Sequence, residues 1–107
     1  MKLLTLENLR HLPHLGSTNE DDDPVVRIKY FTPDAGWTWY VTEGDCDGET
    51  DDYIFFGYVV GPCPEWGEFR LSELREIRGA LKLPVERDLH FEPRRFSELD
   101  AWQKGGR

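Results

Sequence analysis

The sequence predicts a small α+β domain: an antiparallel meander of about four or five strands with short helices packed against it. Three observations carry that prediction. Two runs of alternating apolar and polar residues, 25–31 and 37–42, flank the turn-forming Pro33-Asp34-Ala35-Gly36. The chain holds four Trp, four Tyr and six Phe, while its alanines are Ala35, Ala80 and Ala101. Large rings with little alanine pack better on pleated surfaces than in a helical bundle. A length of 107 residues suits one folding unit, 1–107, with an N-terminal helix and turn at 1–15, a sheet-plus-helix core at 25–91 and a short helix with a frayed tail at 97–107.

Along the chain, Thr5 is a cap for a helix whose Leu6, Leu9 and Leu12 recur at three-residue spacing, and Pro13 ends it. Residues 16–24 read as a polar loop. In the first strand Val26, Ile28 and Tyr30 share one face and Arg27 and Lys29 the other. Proline presets its φ and glycine permits a positive one, so 33–36 closes a hairpin onto Trp37, Trp39 and Val41. Residues 43–52 read as a long acidic connection. Tyr53 to Val60 is apolar on both faces apart from Gly57, the mark of a central strand covered on both sides or of one with a side covered by helix, and Gly61-Pro62-Cys63-Pro64 stops it. Trp66 to Leu71 gives a fourth strand, with Phe69 and Leu71 inward. Ser72 then caps a helix with Leu74, Ile77 and Leu81 on one side and Gly79 as its stop. An edge strand is expected near Leu89–Phe91, and a last short helix from Ser97 to Trp102.

Thirteen basic against 21 acidic side chains leave a net charge of −8, and the whole excess falls in the first 62 residues. Two clusters hold most of it: Asp21, Asp22 and Asp23 after Glu20, and Asp45, Asp47, Asp51 and Asp52 within 43–52. Like charges so close favour exposed loops, and the plainer reading is a solvated, solubilising surface. The sharper one is an acidic face for a basic partner. A net acidic chain is a poor generic ligand for a phosphate backbone. No apolar run approaches the roughly 20 residues of a membrane span, and the early charges Lys2 and Glu7 do not fit a secretory signal, so a cytoplasmic protein is expected. In that compartment Cys46 and Cys63 are expected reduced rather than bridged, although their pairing stays open.

Several blocks together resemble a bacterial family catalogued as domain of unknown function 2958. They are Lys29-Tyr30-Phe31-Thr32-Pro33-Asp34-Ala35-Gly36-Trp37-Thr38-Trp39-Tyr40, Phe55-Phe56-Gly57-Tyr58-Val59-Val60-Gly61, Gly67-Glu68-Phe69-Arg70-Leu71-Ser72-Glu73-Leu74 and Leu83-Pro84-Val85-Glu86-Arg87-Asp88-Leu89-His90-Phe91. The resemblance runs from the first helix to about Pro93. It implies no activity and no catalytic residues, and it implies a setting in bacteria, plasmids and other mobile elements.

Chemistry-bearing patterns are sparse. His11 and His14 have a metal-like spacing, but Pro13 breaks the helix that would align them. A calcium loop starting at Glu43 puts Ile54 where a bidentate carboxylate is required. No phosphate-cradling glycine motif and no nucleophile elbow is present, so no metal and no cofactor is expected. Glu86, Arg87, Asp88 and His90 mix both charges with a histidine. Glu68 and Arg70 share a strand face with Trp66, opposite Phe69. These are either a ligand-binding patch or ordinary cross-strand ion pairs. Trp37 and Trp39 point the same way along their strand, into the core or outward as an interaction surface beside Arg27 and Lys29.

Three function classes follow. The leading one is a non-catalytic interaction protein of a bacterium or mobile element. It binds a protein partner through its surface, with Trp37, Trp39, Glu68, Arg70, Glu86, Arg87 and His90 as binding candidates and acidic charge mimicry as a sub-case. The second is a single-stranded nucleic-acid module using strand aromatics with Arg27, Lys29, Arg70, Arg87, Arg94 and Arg95. The third is a small enzyme, which needs Glu68, Glu86, Asp88 and His90 to converge in one pocket. A monomer or an edge-strand dimer is compatible with all three.

Overall fold

The 33–36 turn sets the register of the sheet. Gly36 takes φ +77°, and the Thr32 N–H reaches the Trp37 carbonyl at 3.0 Å. In the computed structural model, which describes residues 1–99, this turn joins β2 (Ile28–Phe31) to β3 (Thr38–Cys46) with Phe31 opposite Thr38. β4 (Tyr53–Val60) and β5 (Glu65–Arg70) extend the meander, and β6 (Glu86–Arg87) pairs with the outer side of β2. All neighbours are antiparallel in the order β5-β4-β3-β2-β6. A separate ribbon pairs β1 (Val25–Val26) with β7 (Arg94–Arg95). Helix α1 (Leu6–His11) precedes the sheet, α2 (Leu71–Glu76) follows β5, and a 3-10 turn spans Phe96–Glu98. The protein is therefore α+β, as its alternation and ring content predict.

Both sheet faces are covered, which is why β4 is apolar on both sides. On the inner face Ile28, Tyr30, Trp39, Val41, Phe55 and Phe69 are buried beneath Leu71 and Leu74 at the start of α2, with Leu12 and Val85 beside them. The Tyr30 hydroxyl donates to the Leu3 carbonyl at 2.6 Å, so the ring stays dry without losing its hydrogen bond. On the outer face Tyr40 lies under Val26 and Leu99, with Tyr58, Val60, Phe91 and Phe96 packed around them.

Several predicted details are corrected. The 25–31 strand breaks at Arg27, whose N–H donates to the Val41 carbonyl at 2.8 Å opposite a bulge between Val41 and Glu43. Val26 therefore joins the outer core instead of sharing a face with Ile28 and Tyr30. β4 is an interior strand as expected, between β5 and β3, but β3 runs on to Cys46, so the acidic connection shortens to 47–52. Helix α2 starts at Leu71 rather than after Ser72. The Glu73 carboxylate accepts the Arg70 N–H at 2.7 Å, while the Ser72 hydroxyl donates to Asp52. It ends at Glu76, and Leu81 is exposed because the Asp34 carboxylate captures the Leu81 N–H at 2.6 Å and holds the following turn.

The edge strand forms at 86–87, not 89–91. Beyond it the Asp88 N–H still reaches the Lys29 carbonyl, but the chain then turns, which leaves Leu89 exposed and Phe91 on Tyr40. At α1 Thr5 caps as expected, and Leu12 alone of the leucine stripe is buried. The part of the predicted final helix beyond Leu99, and the tail 103–107, lie outside the described residues. Cys46 and Cys63 are both free and exposed. Among the described residues, no helix is long and apolar enough to cross a membrane.

Candidate interaction surface

The bulge in β3 decides where one carboxylate goes. Trp39 and Val41 face inward, and strict alternation would send Glu43 inward too. Thr42 is the extra residue, so Glu43 falls opposite Phe56 on the outer face and Gly44 opposite Phe55 on the inner one. A Cβ at Gly44 would run into Leu12, Tyr53 and Phe55, so glycine is what lets the strand pass there. Glu43 is 2% exposed. Its carboxylate accepts the Gly16 N–H at 2.7 Å, the Thr18 N–H at 2.9 Å and the Thr18 hydroxyl. These donors are neutral, and among the described residues no cation pairs with it. The 16–20 loop is thereby folded down over the end of the outer face.

Beside that clamp, Phe56 and Trp66 stack with centroids 5.9 Å apart and planes 17° apart, and Trp66 is 38% exposed. Tyr58 and Phe96 back the indole at 5.3 and 5.0 Å. Between this ring wall and the loop lies a cavity of about 280 Å³, lined by Thr18, Asp21, Asp22, Glu43, Phe56 and Trp66 among others. A second apolar groove of about 330 Å³ lies on the inner face, between Trp37 and Trp39 on one side and Leu74 and Ile77 on the other. Trp37 stacks on Trp39 at 5.9 Å and lies over the Gly61 backbone. Trp39 is buried in the core, while Trp37 at its rim is 38% exposed.

The other predicted residues are dispersed. Glu68 and Arg70 are on β5, Glu86 and Arg87 on β6, at opposite edges of the sheet, with Asp88 and His90 following β6. Arg70 bridges Asp47 at 2.8 Å and Asp52 at 3.6 Å, and the Arg87 guanidinium donates to the Lys2 carbonyl. Asp88 pairs with Lys29, and His90 is exposed. Lys29 lies over Tyr40 on the outer face, away from the Trp37–Trp39 pair, so those indoles and that cation do not form one platform.

Five carboxylates of the acidic clusters, Asp21, Asp23, Asp45, Asp47 and Asp52, are fastened rather than loose. Asp45 binds His14 at 2.6 Å and the Leu15 N–H, Asp47 and Asp52 share Arg70, and Asp23 accepts from the Ser97 N–H and hydroxyl. Asp21 accepts the Asp23 N–H and faces Arg95 at 3.7 Å. Hydrogen bonds from His14, Arg70 and Ser72 hold the carboxyls of Asp45, Asp47 and Asp52 below the usual range, and Asp45 in turn raises His14. The helix break at Pro13 separates the two histidines: His11 binds Glu7 and His14 binds Asp45.

A family model described as a protein of unknown function (DUF2958) matches residues 3–105. The chain belongs to that family. No curated protein and no solved structure matches it. For this DUF2958 protein the sequence candidates include Asp21 and Asp22 at the outer cavity, but not Glu43 or Phe56 as binding residues. Phe56 reads as strand filler and Glu43 as part of a solvated connection, while Trp66 appears only as the ring beside Glu68 and Arg70. The one available signal was Gly44, which in line with an alternating strand marks a continuing strand rather than a loop but does not reveal the bulge that turns Glu43 over.

Proposed function

We propose that this protein acts without catalysis, by holding a protein partner against its surface in the bacterial cytoplasm. The observation that carries the reading is the same on both sheet faces: a stacked ring pair whose outer indole, Trp37 or Trp66, stays 38% exposed beside a cavity. Half-open indoles on a rigid sheet are the groups on which binding energy concentrates. Separation of Glu68 from Glu86, Asp88 and His90 across the sheet favours recognition over acid–base chemistry, which needs groups within hydrogen-bond reach of one proton. The negative excess of the first 62 residues favours a basic partner, with attraction that weakens as salt rises. Broad imitation of DNA phosphates is the less favoured form, because Asp45, Asp47 and Asp52 are already engaged by His14 and Arg70.

The test is affinity capture from a bacterial lysate at low and high salt, with wild type, Trp37→Ala and Trp66→Ala side by side. A retained protein that either variant loses supports the reading. Equal retention by all three, or turnover of a small compound by the purified chain, ends it.

A further inference from the structure

Resting on the reading above, we infer that the outer-face cavity is a receptor for one arginine side chain of the partner. The wall is built for a flat cation. Phe56 and Trp66 both line the space and lie within 17° of parallel, and a guanidinium stacks on aromatic rings better than a compact ammonium does. Tyr58 and Phe96 pack behind the indole, so the wall is held rather than loose.

Charge complementarity selects the occupant. Glu43 is among the residues lining the cavity, and the described donors to its carboxylate are all neutral, so its charge is hydrogen-bonded but not countered. Asp21 and Asp22 line the same space, and Glu68 stands opposite Phe56 on the same face of the sheet. Asp21 has Arg95 at 3.7 Å, whereas Asp22 has no described partner. An aromatic wall with carboxylates lining the same space disfavours an anion and gives a neutral apolar side chain no use for the acids. At about 280 Å³ the space takes one long side chain head and no folded element. The inner groove at Trp37 is the contrast: it is apolar with Glu73 at its margin, and it makes no such selection.

The experiment titrates the full chain with a capped tripeptide, Gly-Arg-Gly, following backbone amides and the Trp66 indole by NMR. Matched peptides carry citrulline, the neutral isostere, or lysine. Expected are shifts at Trp66, Thr18 and Asp22, loss of binding with citrulline, and weaker binding with lysine. Trp66→Ala and Asp22→Asn each weaken the arginine peptide by about tenfold, while Trp37→Ala leaves it unchanged. The charge is tested at Asp22 and not at Glu43, because Glu43→Gln would loosen the 16–20 loop whether or not arginine binds. Equal binding of arginine and citrulline peptides, or shifts confined to other residues, overturns the receptor. If that happens while Trp37→Ala still loses a captured protein, the pocket assignment fails and the interaction reading stands.

Discussion

Replacing Glu43 by alanine is the most direct probe of how the outer face is held. The carboxylate organises three donors, the Gly16 and Thr18 amides and the Thr18 hydroxyl, from a loop more than twenty residues away in sequence. Hydrogen bonds to a charged group are worth roughly 1.5–3 kcal/mol each, but losses within one network do not add, and loop amides freed at the surface regain water. The net cost is therefore about 3 kcal/mol, a large share of the roughly 5–15 kcal/mol that stabilises a domain. At this chain length it corresponds to a fall in Tm on the order of 10–20 °C. Urea unfolding followed by tryptophan fluorescence measures it. Amide exchange at Gly16 and Thr18 checks the cause, because both sites should lose protection before the sheet does. An alanine variant within about 0.5 kcal/mol of wild type, a span ordinary for surface changes, would show that the loop is held by something else.

Gly57→Ala should cost at least about 2 kcal/mol, since a Cβ there collides with the Tyr40 carbonyl and β3 and β4 must separate to admit it; the urea midpoint reports this. Asp34→Ala should cost about 1–2 kcal/mol and speed amide exchange at Leu81, whose N–H that carboxylate holds. For pH, His14 is raised above its ordinary 6.5, so its contact with Asp45 stabilises fully below 6.5 and is lost as pH rises through the folded value. Asp45, Asp47 and Asp52 are lowered from 3.8, so their contribution is present above 3.8 and is lost as pH falls through their folded values. Stability should thus be greatest between these two ordinary values, and His14→Gln should remove the alkaline decline and leave the acid one. A wild-type profile without that alkaline decline would refute the linkage.

The hairpin at 33–36, the span of β4 and the α+β class are legible because each is written locally: turn chemistry, alternation and a doubly apolar run. What is not legible depends on partners distant in sequence. The break at Arg27 and the bulge at Val41–Glu43 face each other across the sheet, and neither is encoded by its own neighbours. Leu81 looks like the third residue of a helical stripe, yet Asp34, 47 residues earlier, takes its amide and ends the stripe. The same holds for the surface. Trp37 and Trp39 are visible as a pair, but which of them reaches water is decided by Gly61 lying beneath one and Phe69 and Leu74 packing against the other. The outer cavity was unreadable for a further reason: Glu43 lines it only because a bulge turned that residue over.

The ribbon of β1 with β7 ties residues 25–26 to 94–95, and Leu99 seals Tyr40 from above. During synthesis the inner core can close once Val85 has emerged, while the ring layer on the other side must wait for the segment 91–99. Until then Tyr40, Tyr58 and Val26 stand naked on the nascent chain, a sticky plane that a chaperone would shield. A free chain ending near residue 90 should therefore carry a half-roofed sheet, protease-resistant on one side and adhesive on the other.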